Sequence, residues 1–176
     1  YRETEYKISL FYPDNFYMSS DLKSTGKFDL EGVSKDAVSI MISKEKSSQF
    51  TYRIQGNPVE VTIGYGIEER LRETYRDTIE KELTFLYNKL GVLPSRIFIN
   101  SKTKKIQNFV GADDINLWGL KKWKLFPDEV KTDLKLFQQI AYNVINQVIQ
   151  VDKNKDHWIP NGLLYYYQYQ YLKEYY

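Results

Sequence analysis

A chain of 176 residues is long enough for one sizeable core or two small halves. At 42% hydrophobic and 27% charged it is too apolar for a disordered chain, and 25 basic against 23 acidic side chains leave a net charge of +2, which gives no electrostatic case for a nucleic-acid partner. The absence of Cys excludes disulfides, thiolate zinc sites and Cys nucleophiles, and no apolar run approaches the roughly 18 residues that a membrane-spanning helix needs.

In chain order, residues 6–12 alternate and are β-prone, and Pro13-Asp14-Asn15 stops them. Residues 19–35 hold charges, Gly and Ser and read as a loop with a short strand. Residues 37–42 predict a second strand. Phe50–Ile54 and Val59–Ile63 flank Gly56-Asn57-Pro58, a turn signal, and predict a hairpin. The first part of the chain is therefore expected to be antiparallel β.

The pattern changes at Gly64-Tyr65-Gly66. Ile67, Leu71, Tyr75, Ile79, Leu83, Leu86 and Leu90 follow at steps of three and four, which places them on one helix face. Gly91 stands where a helix-ending glycine belongs, with Pro94 beyond it. Arg96–Asn100 is a short strand, so residues 59–100 read strand–helix–strand, with parallel pairing and an α/β layer.

Residues 101–125 are irregular. Phe109–Ala112 and Leu117–Leu120 predict edge strands around Asp113-Asp114, and Lys121, Lys122 and Lys124 around Trp123 read as a solvated segment. Pro127 opens a helix whose buried stripe is Val130, Leu134, Phe137, Ala141, Val144 and Val148. Asp152–Asp156 begins like a calcium loop, but His157 and Leu163 stand where that loop needs Gly and Glu. From about Gly162 a Tyr-rich helix is expected, aromatic on all sides, packed between layers or against a further domain. The two ends, at Tyr1 and within the Tyr-rich run, lead us to expect a piece of a longer protein.

A set of residues on the last two helices resembles a known family. Gln138-Gln139-Ile140-Ala141-Tyr142 is followed, after residues 143–160, by Asn161-Gly162, with Trp158 just before. The spacing resembles that of the gluzincin zinc aminopeptidases, in which one helix carries His-Glu-x-x-His and the next supplies a Glu within Trp-Leu-x-Glu-Gly-Phe. Two His at i and i+4 share a helix face and grip one metal, and the Glu between them takes a proton from the metal-bound water. On this frame the ligand positions fall on Gln138, Tyr142 and Asn161, and the general base on Gln139. Trp158, Gly162 and Tyr166 match the family pattern by identity. Upstream, Gly111-Ala112-Asp113-Asp114 with Trp118-Gly119-Leu120 is similar to the family's Gly-Ala-Met-Glu-Asn and Trp-Gly-Leu. Asp113 and Asp114 are both open to the role of the family's Glu, which holds the substrate's free amine.

The resemblance covers residues 59–176. It implies an α+β fold, a thermolysin-like gluzincin aminopeptidase catalytic core over 59–176, preceded by a β-rich segment over 1–58 that ends an N-terminal β domain. It places substrate binding at Gly111, Ala112, Asp113 and Asp114. The ligand positions, however, have lost their chemistry. Gln and Asn offer neutral carbonyls, Gln139 cannot act as a base, and Tyr142 must first lose its proton. His157 is the single His in the chain, and one His makes no zinc site.

The expected function is therefore a catalytically inactive, peptidase-like domain that binds a peptide or protein, or other domains of the same longer chain, with no cofactor. Gln138, Tyr142 and Asn161 are expected to meet in space where the metal would have sat. The alternative is an active zinc metallopeptidase whose ligands lie elsewhere. A purely structural module, with the Tyr-rich helix as an interface, is a third reading. A competing reading of Gln138, Gln139 and Tyr142 makes them ordinary solvent-facing residues of an amphipathic helix.

Overall fold

The computed structural model describes residues 3–34, 38, 40–44, 46–63, 69–99, 126–149, 155–156 and 158–176. Its elements are β1 (Thr4–Ser9), β2 (Tyr17–Ser20), β3 (Lys23–Ser24), β4 (Asp29–Ser34), β5 (Ile40–Ser43), β6 (Ser48–Ile54), β7 (Asn57–Ile63), α1 (Glu69–Leu90), β8 (Arg96–Ile99), α2 (Asp128–Val148) and α3 (Trp158–Tyr175). The class is mixed α+β, as the sequence implies.

Before β6 the chain is antiparallel, in a sheet of order β1-β4-β3 and a β2-β5 pair. β4 falls inside the expected loop of residues 19–35. Its one buried apolar side chain is Leu30, and Gly32 gives Leu22 room, since a Cβ at 32 would lie 3.0 Å from the Leu22 Cδ2. Pairing with β1, from Thr4↔Ser34 to Ser9↔Asp29, imposes a strand on residues whose own propensity does not ask for one.

The hairpin forms, but its turn lies one step before the expected place. Ile54 pairs with Asn57, and the two residues between them, Gln55 and Gly56, both have positive φ, 50° and 84°. That is the backbone of a two-residue hairpin turn whose twist matches its strands. Pro58 then lies within β7, the central strand of the order β6-β7-β8. It is tolerated because the parallel ladder with β8 begins only at Glu60↔Arg96, so the missing N–H faces no carbonyl of β8.

α1 runs between β7 and β8, and β8 pairs parallel to β7, as expected for a strand–helix–strand unit. Gly91 ends α1 with φ 73°, its N–H donating to Tyr87 O at 2.7 Å. The expected division at 58/59 falls inside β7, and β6 belongs to the same sheet as β8. α1 packs on β6, and α2 packs on α1, α3 and β8. The core joins Ile54, Val59, Val61 and Ile63 of the sheet to Ile79, Leu83 and Leu86 of α1 and to Phe137, Ile140, Ala141 and Val144 of α2. Where the helices meet, Phe137 stacks on Tyr171 at 4.4 Å between ring centroids, and Phe85 sets its edge against both.

α3 starts at Trp158, before the expected Gly162, with Pro160 in the first turn where a missing N–H breaks no helical bond. It is not enclosed on every side. Pro160, Leu164, Gln168 and Tyr171 form one buried stripe, and Trp158, Tyr166 and Tyr169 face outward. Among the described residues no helix is long and apolar enough to cross a membrane. The expected edge strands 109–112 and 117–120, Lys121–Lys124 and His157 lie outside the described residues.

Candidate functional site

Gln138 and Gln139 are both buried, so they are not the solvent-facing pair of a plain amphipathic helix. Gln138 follows Leu134 by one helical step and points inward with it. Its amide nitrogen donates to Gln168 Oε1 at 2.7 Å, and Gln168 in turn donates to the Leu134 carbonyl at 3.5 Å. It is thus Gln168, not Asn161, that α3 brings to Gln138. Asn161 is exposed near the start of α3, and Tyr142 is half-buried against the core. A zinc ion needs imidazole, thiolate or carboxylate donors. The frame offers two amides and a phenol, and one of the amides is committed to Gln168, so these residues do not fit the metal. Among the described residues no three His, Cys, Asp or Glu side chains lie close enough to share an ion. Gly111, Ala112, Asp113 and Asp114 lie outside the described residues.

The opposite face of α2 borders β8. Glu60 N–H donates to Ser95 O at 2.8 Å, so the residues of β8 that bond β7 are the odd-numbered ones. The carbonyls of Arg96 and Phe98 therefore point along the outer edge. α2 meets them with side chains: Asn143 Nδ2 donates to Phe98 O at 3.3 Å and Gln147 Nε2 to Arg96 O at 3.2 Å. Gln139, one turn before Asn143, shares this side of the helix.

The densest electrostatics lie at the junction of all three helices. Asp133 of α2 is buried and accepts from Lys81 Nζ at 2.8 Å, from the Tyr171 hydroxyl at 2.9 and 3.1 Å to its two oxygens, and from the Tyr176 hydroxyl. The Lys81 ammonium also lies over the rings of Tyr171, Tyr175 and Tyr176, at 5.3, 5.1 and 5.7 Å from their centroids. Burial pushes the Asp133 carboxyl up, but the hydrogen bonds from Glu82, Lys81, Tyr176 and Tyr171 more than reverse this and hold it below the usual range.

Next to Lys81 on α1, Glu82 is completely buried, and among the described residues neither of its oxygens receives a hydrogen bond. Its carboxyl interacts with that of Asp133. Two carboxylates have only acceptors between them, so the contact is a hydrogen bond only when Glu82 carries the proton and donates it. Burial first, then the bond to Asp133 and its charge, push Glu82 well above the carboxylate range, with Lys81 opposing. Burial and the nearby carboxyls push the Tyr171 hydroxyl up as well, and burial with the bond to Asp133 does the same to Tyr176. Asp133, Lys81, Tyr171 and Tyr176 are spent on one another, so the cluster orders the helices.

These residues are visible in the sequence once the helix register is drawn. Glu82 is three after Ile79 and four before Leu86, Asp133 is three after Val130 and four before Phe137, and Gln168 is four after Leu164. Each is a polar residue at an inward position, which calls for a partner.

The outward face of α3 is the other candidate. Trp158, Tyr166 and Tyr169 are 65%, 55% and 63% exposed, and their spacing puts them on one side of the helix. Gly162, on the same side between Trp158 and Tyr166, has nothing within 4 Å of where a Cβ would stand. Comparison with protein-family models, with curated proteins and with solved structures finds no match for this chain.

Proposed function

We propose that this chain is a non-catalytic binding or scaffolding module that engages a peptide or protein, or a further domain of a longer chain, through the outward aromatic face of α3. The observation that carries this reading is the stripe of Trp158, Tyr166 and Tyr169, large rings held in water by a helix whose other side is anchored. Such rings supply contact area at small entropic cost and concentrate at interfaces. The finer fold reading, a degenerate thermolysin-like core, is part of the proposal. It is supported by the strand–helix–strand unit, by the helix pair that follows it, and by the spacing of Gln138, Gln139, Tyr142 and Asn161.

Selection of a random peptide display library on the purified chain tests the function. Peptides enriched on the native chain are expected to bind in solution with a change in Trp fluorescence. They should lose at least tenfold in affinity for the Tyr166→Ala/Tyr169→Ala double variant. Equal binding to both proteins would overturn the role of this face. Elemental analysis after dialysis tests the alternative. We expect no stoichiometric zinc, and one zinc per chain together with hydrolysis of an amino-acid amide would establish an active peptidase instead.

A further inference from the structure

We infer that Glu82 and Asp133 hold one proton between them and that this proton is a latch, closing the C-terminal turns of α3 onto α1 and α2 and releasing them when it is lost. The inference rests on the inward side of α3 and does not depend on what the outward side binds.

The geometry has three parts. Asp133 accepts from groups brought by both other helices, Lys81 on α1, Tyr171 on α3 and Tyr176 just past its end. Glu82, which interacts with Asp133, is fully buried, with no donor to its oxygens among the described residues. The last turns of α3 are held by this cluster together with the Lys81 contact to the three Tyr rings and the Lys89–Glu174 ion pair at 3.2 Å. The titratable groups facing Glu82 are Lys81 on its own helix, Asp133 on α2, and Tyr171 and Tyr176 on α3, while β6, packed against α1, brings the buried Tyr52 to the same core.

With the proton in place, Glu82 donates and Asp133 alone is charged, balanced by Lys81. Without it, two interacting buried carboxylates are both charged, the Lys81 ammonium is bonded to Asp133, and among the described residues Glu82 has no donor of its own. Water reaches the pair most readily if the turn carrying Tyr171 and Tyr176 lifts. Loss of the proton therefore favours an opened α3 over a strained closed one. The tyrosine hydroxyls do not compete for this role, because both are held in the neutral form.

Amide hydrogen exchange of the whole chain from pH 5 to 9.5, corrected for the intrinsic rate, tests the latch. The amides of residues 165–176 are expected to exchange through an opening smaller than global unfolding. Its equilibrium constant should rise tenfold per pH unit until Glu82 is ionised in the closed state, as release of one proton requires. In Glu82→Gln, whose amide donates as the neutral acid does, the same amides should show no such rise. Three results would overturn the latch: a flat opening constant in the native chain, an undiminished slope in Glu82→Gln, or exchange of these amides only at the free energy of the slowest α1 amides. Should Glu82→Gln not fold, the carboxyl carbon resonance of Glu82 in the native chain decides, and titration in the ordinary carboxylate range would refute the shared proton.

Discussion

Buried polar side chains fix how the helices meet, and each is only as stable as its partner. Asp133 is the clearest case. Replacing it with Ala leaves Lys81, Tyr171 and Tyr176 without their acceptor, and removing one member of a buried charged cluster costs about 3–5 kcal/mol. Urea denaturation should show that loss, and a loss under about 1 kcal/mol would mean that solvent replaces Asp133 freely. The Gln138–Gln168 bond makes a subtler point. Gln138→Leu orphans a buried amide oxygen on α3 and should cost about 1–3 kcal/mol. Adding Gln168→Leu removes the orphan, so the double variant should recover much of the loss. A double-mutant cycle that comes out additive would show that the two amides do not depend on each other.

Among the elements, those legible in the sequence carry their own local signals. α1 shows a regular apolar stripe and a glycine at its end, β6 and β7 flank a turn, and α2 opens after Pro127. The signals that failed were ones that local pattern cannot hold. β4 has one buried apolar residue and a glycine and exists because β1 pairs with it. α3 carries Tyr on both sides, so hydrophobicity does not mark which rings go inside. The side is chosen by the partners of Tyr171, namely Phe85, Phe137 and Asp133. Pro58 looks like a turn residue and draws the expected turn one residue late, whereas Gln55 occupies the left-handed backbone that Asn prefers. Gln55→Asn should therefore stabilise the hairpin by a few tenths of a kcal/mol, up to about 1. Gly91→Ala, at φ 73°, should destabilise the chain by about 1 kcal/mol. Thermal unfolding of the two variants should move in opposite directions, and a shared direction would contradict the turn geometry.

For the whole molecule, the three-helix cluster predicts an unusual pH dependence, because its two carboxyls act with opposite sign. The Asp133 pKa is lowered from 3.8 in the folded chain, so its contribution is present above 3.8 and is lost as the pH falls through the folded value. The Glu82 pKa is raised well above 4.5, so its contribution is complete below 4.5 and is lost as the pH rises toward the folded value. The joint contribution is therefore largest between 3.8 and 4.5, on the acid side of where most domains are most stable. Other carboxyls will tilt the full profile, so the measurement is a difference. Relative to native, Glu82→Gln should gain stability steadily above pH 4.5, at about 1.4 kcal/mol per pH unit until Glu82 ionises in the folded state. Asp133→Asn should differ from native least at the acid end, where Asp133 itself takes up a proton. Parallel urea titrations from pH 3 to 9 would show both trends. A Glu82→Gln difference that does not change with pH would mean that Glu82 is already ionised inside the folded chain, with a cation that the Asp133 network does not supply.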